Sequence, residues 1–188
     1  STQFNNTAIL ISVVLNGSLG TNHIVVNGGN INASGWGFIT WTTADTITLN
    51  GASNANNMFG STRNDIINGE GGPDTIDGGG GRDTLNGGLG DDNFRFDAGT
   101  DLVSGEIISG GDGALDRILT VGTDTFNFGL ATISGVERLF TSAGATQIFS
   151  GAQVGPGAGK IGEVNGTAGI DRLTVSGASV SLNGLNFF

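Results

Sequence analysis

The chain has 188 residues, of which 36 are glycine and none is cysteine, and its 17 acids against 7 bases give a formal net charge of −10. The lack of cysteine excludes a disulfide framework and thiolate metal sites, and an acidic chain without clustered lysine and arginine argues against nucleic acid as a partner. No apolar run is long enough to span a membrane, and no basic segment precedes the first apolar residues, so the N-terminus is not typical of a cleavable signal peptide.

The first 50 residues are predicted to form an N-terminal β-strand cap. Residues 8–15 read AILISVVL, a short β-branched run that favours a buried strand. Asp45-Thr-Ile-Thr-Leu alternates polar and apolar side chains after a turn, which indicates a half-buried strand. The aromatic residues expected to supply core here, rather than a sugar-binding platform, are Trp36, Phe38 and Trp41.

From residue 51 to residue 95 the chain repeats every nine residues. Glycine opens the units, at Gly51, Gly60, Gly69, Gly78 and Gly87. The eighth place is apolar, at Met58, Ile67, Ile76, Leu85 and Phe94. The sixth place carries Asn56, Asp65, Asp74, Asp83 and Asp92. Each unit reads as a glycine-rich turn followed by a very short strand, which buries its one apolar side chain only if the units stack into a solenoid.

The pattern G-G-x-G-x-D-x-U-x, in which U is a large apolar residue, resembles the calcium-binding nonapeptide of the RTX (repeats-in-toxin) family. The units at Gly78 and Gly87 fit it best, the unit at Gly69 fits well, and those at Gly60 and Gly51 are degenerate. The resemblance implies an all-β fold, a right-handed parallel β-roll or β-solenoid with two nonapeptides per turn, calcium-binding turns and β-rich caps on both sides. Residues 51–96 are interpreted as this calcium β-roll.

The resemblance also implies calcium between stacked turns, held by sixth-place carboxylates and by carbonyls of the glycine-rich places. It pairs Asp74 with Asp92 and Asp65 with Asp83, and it places Asn56 opposite Asp74. The implied ligands are Asn56, Asp65, Asp74, Asp83 and Asp92, with Gly69, Gly71, Gly72, Gly78, Gly79, Gly80, Gly81, Gly87, Gly88 and Gly90. We expect two or three good sites, and a fourth at Asn56 is left open because asparagine is a neutral ligand.

An alternative role for these aspartates is the Asx turn, in which each carboxylate accepts from the next backbone N–H groups. Four aspartates at a strict period of nine favour metal instead. Two carboxylates about 4 Å apart repel by roughly 4 kcal/mol at an effective dielectric near 20. We therefore expect Ca²⁺ to be a folding partner and the roll to be loose or disordered without it.

Residues 97–188 keep a looser form of the same pattern and are interpreted as a C-terminal β-solenoid continuation or cap that could contain a secretion or assembly segment. Residues 110–119 fit the nonapeptide with one insertion, and residues 166–174 fit four of its places. Asp116 and Asp171 are accordingly further calcium candidates, with a plain turn role as an equal alternative. The aromatic residues expected to supply core in this zone are Phe126, Phe128, Phe140 and Phe149.

Catalysis has little sequence support. His23 is the single histidine and has no serine-centred motif beside it, and nothing in the spacing of Glu137 and Glu163 marks them as an acid pair. We therefore expect no enzyme, but a secreted bacterial protein, extracellular or at the cell surface, exported by type I secretion as the family resemblance implies. The expected partners are calcium, further copies of the chain in an oligomer or polymer, and cell-surface polysaccharide.

Two functional classes stay open. The first is a calcium-dependent structural subunit of a surface layer, matrix, filament or adhesin. The second is an accessory β-roll module of a larger secreted protease, lipase or polysaccharide epimerase. A calcium-regulated carbohydrate binder is a weaker third.

Overall fold

The computed structural model describes residues 9–10, 14–155, 160–167, 172–176 and 186–188. It is all-β, with parallel sheets that form a β-solenoid of about 6 turns, as predicted from the repeat. The helical segments of the described chain are two single 3-10 turns, Gly99–Asp101 and Phe128–Leu130. Within the described residues, no helix has the length and apolar character that a membrane crossing requires.

Two long sheets form the walls of the solenoid, and their strands are numbered in chain order. The nine-stranded sheet contains, in spatial order, β1 (Ile9–Leu10), β4 (Ile31–Asn32), β7 (Asn57–Phe59), β9 (Thr75–Asp77), β11 (Asn93–Phe96), β13 (Arg117–Thr120), β16 (Arg138–Phe140), β18 (Glu163–Asn165) and β20 (Asn186–Phe187). The six-stranded sheet contains β15 (Thr132–Ser134), β12 (Ile107–Asp112), β10 (Thr84–Leu89), β8 (Asp65–Asn68), β6 (Thr46–Asn50) and β3 (His23–Asn27).

Two smaller sheets complete the described strands. One joins β14 (Thr125–Asn127), β17 (Thr146–Ser150) and β19 (Arg172–Ser176). The other pairs β2 (Val14–Asn16) with β5 (Gly37–Ile39). Both long sheets continue across residues 50 and 97, so the three zones distinguished in the sequence share the same walls. The boundaries drawn between those zones stay a prediction.

The repeat sets the register of both walls. Alternate units fall on the same wall, so that Ile76 lies between Met58 and Phe94 while Leu85 lies beside Ile67. All five of these eighth-place side chains are 0% exposed. Because side chains alternate between the two faces of a strand, one apolar residue per unit is enough to build a continuous core.

A ladder of asparagines runs along the outside of the six-stranded sheet at the ninth place of the units. Asn50, Asn68 and Asn86 each donate a side-chain hydrogen bond of 2.7 Å to the asparagine of the preceding strand, beginning with Asn27. These bonds run parallel to the backbone ladder and fix the same register from the solvent side.

After the repeats, the core contains phenylalanine rings that pack against one another. The ring centroids of Phe128 and Phe149 are 4.8 Å apart, and Phe96 meets Phe128 edge-on at 5.3 Å. Phe126 is also fully buried. The prediction of core for Phe140 needs correction: strand alternation turns Leu139 inward, and Phe140 lies half-buried under the guanidinium of Arg117.

Candidate metal centre

The sixth-place side chains form two files, one on each edge of the roll. The first file contains Asn56, Asp74, Asp92, Asp116 and Glu137, which lie at matching positions of successive turns in the nine-stranded sheet. The second file contains Asp65, Asp83 and Glu106, which do the same in the six-stranded sheet. The files thus bring together the pairs expected from the sequence, Asp74 with Asp92 and Asp65 with Asp83.

One carboxylate oxygen of each pair is used by the neighbouring turn. The N–H of Asn56 donates to Asp74 Oδ1 at 2.7 Å, and the N–H of Asp74 donates to Asp92 Oδ1 at 2.8 Å. In the second file the N–H of Asp65 donates to Asp83 Oδ1 at 2.8 Å. These bonds join residues 18 apart, whereas an Asx turn would keep the bond within a few residues. The carboxylates of Asp74, Asp83 and Asp92 therefore connect successive turns, whereas Asp65 Oδ2 accepts from the N–H of Ser61 at 2.7 Å within its own turn.

The other carboxylate oxygen is buried without a hydrogen-bond partner. Such oxygens, among the described residues, are Asp65 Oδ1, Asp74 Oδ2, Asp83 Oδ2, Asp92 Oδ2 and Asp116 Oδ2. Each of these five aspartates is at most 1% exposed. A buried polar atom without a partner costs about 1–3 kcal/mol, and more when it is charged. When these carboxylates are ionised, the orphaned oxygens therefore require a positively charged neighbour.

Backbone carbonyls share the space into which these oxygens point. A Cβ added to Gly69 would lie less than 3.0 Å from both Asp74 Oδ2 and the carbonyl oxygen of Gly87. The same holds at Gly87, where it would meet Asp92 Oδ2 and the carbonyl of Gly110. At each of these positions glycine leaves room for two oxygens from different turns to approach each other.

The remaining predicted glycines shape the turns. Those with positive φ are Gly72, Gly79, Gly81, Gly88 and Gly90. Gly80 donates its N–H to the carbonyl of Ser61 at 3.0 Å, and Gly71 forms a bridge with Leu89. The carbonyl of Gly78 lies against Gly60, beside Asp65.

Burial dominates the electrostatics of the two files. It raises the pKa of Asp74 to about 6, of Asp65 and Asp92 to about 7, and of Asp83 to about 9. The backbone N–H bonds offset this only partly, and like charges on neighbouring turns raise the pKa of Asp83 and Asp92 further. Ionised carboxylates in this arrangement destabilise the fold unless a cation lies between them.

Comparison with protein families identifies the repeat. The model of the RTX calcium-binding nonapeptide repeat (4 copies) matches residues 50–85, 59–94 and 69–103. Residues 50–103 are an RTX repeat segment. The resemblance inferred from the sequence is thereby confirmed for this part of the chain. No curated protein and no solved structure matches the chain.

The oxygen donors of the RTX segment suit calcium. Ca²⁺ takes six to eight oxygen ligands, carboxylate and carbonyl together, and tolerates irregular geometry. Within the described residues, no three side chains of aspartate, glutamate, histidine or cysteine form a metal-binding group. A cation between two turns would accordingly use carboxylates such as Asp74 and Asp92 together with glycine carbonyls. When bound, calcium supplies positive charge and coordination to these oxygens.

The carboxylate files extend past the RTX segment. The N–H of Asp92 donates to Asp116 Oδ1 at 2.7 Å, and the N–H of Asp116 donates to Glu137 Oε2 at 3.2 Å. Asp116 thus occupies the position expected of a further ligand, whereas Asp171 lies outside the described residues. Glu163, considered above as an acid partner of Glu137, instead forms an ion pair with Arg138 at 3.1 Å.

Sequence reasoning missed Glu106 and Glu137 as members of the files. Both residues precede an apolar residue by two places, Ile108 and Leu139, as the sixth place of a unit does. The repeat pattern consists of aspartates at intervals of nine, and these glutamates follow longer turns, so they do not fit it. A looser pattern would have found both glutamates: an acid, then any residue, then an apolar residue that points inward, in a strand that is in register with the previous turn.

Proposed function

We propose that this chain is a secreted calcium-binding RTX-type structural protein that folds, and then self-assembles, when it meets extracellular calcium. A subunit of a surface layer, matrix, filament or adhesin is the form of this function that we favour. The observation that carries the proposal is the row of buried, unpartnered carboxylate oxygens facing glycine carbonyls at successive turns.

Folding on calcium follows from the charges of the roll. Between Gly60 and Asp101 the chain holds nine acids against three arginines. With little free calcium, as inside a cell, the ionised files resist stacking and the chain stays extended enough for export. At higher calcium, Asp74 with Asp92 and Asp65 with Asp83 hold the ion, and the turns close on one another.

Assembly is proposed from the ends of the solenoid. Among the described strands, β3 and β15 are the outermost members of the six-stranded sheet. An outermost strand has neighbours on one side only, so its other edge offers N–H and C=O groups to a second copy of the chain. A parallel roll presents such edges at opposite ends, which favours head-to-tail stacking. Cell-surface polysaccharide is a further proposed partner, and type I secretion from a bacterium is the proposed route of export.

Sedimentation velocity from excess chelator to millimolar calcium tests folding and assembly together. We expect a slow, expanded species in chelator and large polymers in calcium that dissolve again when chelator is added. Conversion to a compact monomer would keep the calcium roll but favour the accessory module of a larger secreted enzyme. A species that is equally compact with and without calcium would contradict the proposal.

A further inference from the structure

Glu106 follows the last RTX turn and is the least compensated acid of the second file. Its side chain is 1% exposed, and neither carboxylate oxygen forms a hydrogen bond of normal geometry, although the backbone N–H groups of Asp83 and Val103 are near enough to offset part of the rise in pKa that burial causes. Every buried aspartate of the files has at least one carboxylate oxygen that accepts a hydrogen bond from a backbone N–H, so Glu106 differs from them. The matched repeats end at residue 103, and the RTX pattern does not account for this residue.

Glu106 faces Asp83. Strand β12 pairs with β10 so that Ile107 is opposite Thr84 and Ile108 is opposite Leu85, which places the two acids at the same height on adjacent turns. The charge of Glu106 acts on Asp83, whose pKa is raised first by burial and then by its acidic neighbours. Asp83 Oδ2 is itself buried and unpartnered. Three orphaned oxygens therefore lie on these two adjacent turns.

The nearest neighbours of Gly78 differ from those of Gly69 and Gly87. Around a Cβ built on Gly69 or Gly87, a carbonyl oxygen of the next turn lies beside the carboxylate, whereas the three atoms nearest to a Cβ built on Gly78 all belong to Asp83. The turn that follows is longer, since Asp83 and Glu106 are 23 residues apart in register rather than 18. The buried carboxylate of Glu106 lies on this longer turn, in register with Asp83.

Among the described residues, no basic side chain forms an ion pair with Asp83 or Glu106. The ion pairs of the described residues join Arg95 to Asp97 and Arg138 to Glu163. The side chain of Arg82 lies against Gly105 but forms no ion pair with Glu106. The desolvated acids thus have neither a basic side chain nor a full set of hydrogen bonds.

We propose that Asp83 and Glu106 together bind one calcium ion between the last RTX turn and the turn that follows it. Glutamate can offer both oxygens to one Ca²⁺, as it does in other calcium sites. This inference rests on the proposed calcium-dependent function and adds a site that the repeat pattern does not contain. It makes the junction between the repeats and the rest of the roll dependent on calcium.

Equilibrium dialysis with radioactive calcium tests the site in the full chain. Glu106→Gln keeps the shape of the side chain and removes its charge, and Glu70→Gln removes one charge from an exposed position of the same segment. We expect Glu106→Gln to bind one ion fewer per chain than the wild type and Glu70→Gln to bind the full number. An unchanged count for Glu106→Gln, with calcium-stabilised circular dichroism like that of the wild type, would overturn the site.

Glu106→Asp supplies the second comparison if Glu106→Gln folds poorly. Aspartate retains the charge, but its side chain is shorter by one methylene group. We therefore expect this variant to bind the full number of ions, with the ion at Asp83 bound more weakly than in the wild type. If Glu106 served only as a neutral, protonated filler, glutamine would replace it well and aspartate badly, which would overturn the site. A wild type that binds no calcium at all would overturn the proposed function itself, whereas a normal wild type with an unchanged Glu106→Gln affects this inference alone.

Discussion

The repeat region, residues 51–96, and the described part of the chain that follows it are built on the same walls but are held together differently. In the repeats every turn advances by 18 residues, and each acid meets its counterpart in register. After the repeats the interval becomes 24 between Asp92 and Asp116 and 21 between Asp116 and Glu137. The later turns differ in length from one another, so no single interval aligns their acids, although Gly110 still leaves room for Asp116 Oδ2 beside the carbonyl of Gly135.

The cores differ in the opposite sense. A repeat contributes one aliphatic or aromatic side chain, such as Leu85, to a narrow file. From the end of the repeats onward, Phe96, Phe128 and Phe149 pack ring against ring and bury large aromatic side chains. If the repeats bind calcium as proposed, the main source of stability changes along the solenoid from ion coordination in the repeats to aromatic packing after them. The repeats should thus depend on calcium far more than the region after them.

The double substitution Asp83→Asn with Asp92→Asn breaks the calcium-dependent side of this comparison and should have the largest effect. Asparagine still accepts the N–H bonds of Asp65 and Asp74, so the loss is that of charge and metal binding. We expect the calcium-induced compaction seen by sedimentation and circular dichroism to disappear. Asp97→Asn with Asp112→Asn removes the same charge from exposed positions and should leave it intact. A calcium response of normal midpoint in the first double variant would contradict the assignment of the files.

Proton binding should partly replace calcium in the repeats. Burial raises the folded-state pKa values of Asp65, Asp83 and Asp92 to about 7, 9 and 7, above the usual aspartate value of 3.8. A raised folded pKa means that the folded state binds more protons, so stability is fully present below pH 4 and is lost as the pH rises through 7 to 9. Thermal unfolding of calcium-stripped protein should therefore show a higher midpoint at pH 5 than at pH 8.

Calcium provides the control for that experiment. Because the ligands must be ionised to bind the metal, saturating calcium should remove the advantage of low pH or reverse it. A metal-free protein that is more stable at pH 8 than at pH 5 would show that the folded state favours the ionised form of these carboxyls, which would contradict their raised pKa values.

Phe128→Ala breaks the aromatic side of the comparison. Phe128 is 0% exposed and contacts three other phenylalanine rings. We expect a loss of about 3–5 kcal/mol in the free energy of unfolding, measured by urea denaturation in saturating calcium, while the number of calcium ions bound stays that of the wild type. Phe187→Ala removes a ring that is 61% exposed and should cost much less. Equal costs for the two variants would contradict an aromatic core in this region.

The sequence was most informative in residues 51–95, where the repeat keeps a constant length of nine residues. The nine-residue period predicted stacked turns, and the family resemblance implied two units per turn, from which the alternation of walls and the pairing of Asp74 with Asp92 follow. It failed at Glu106 and Glu137, since a turn of variable length hides which acid faces which. Phe140 was misassigned for a related reason: an aromatic residue beside Leu139 indicates core, but only the strand register decides which of the two points inward.

A pair of glycine substitutions sharpens the comparison at the smallest scale, within the repeats themselves. A Cβ at Gly87 would overlap Asp92 Oδ2 and the carbonyl of Gly110, whereas a Cβ at Gly80 would meet nothing closer than the Cα of Thr62 at 3.9 Å. Crowding should cost Gly87→Ala about 1–3 kcal/mol of folding stability in calcium and weaken calcium binding at Asp92. Gly80→Ala should be neutral or stabilising by about 0.4–1 kcal/mol, because alanine restricts the unfolded chain. Calcium titrations followed by urea denaturation compare the two, and equal behaviour would mean that the first-place glycine serves the backbone rather than the cradle of oxygens beside it.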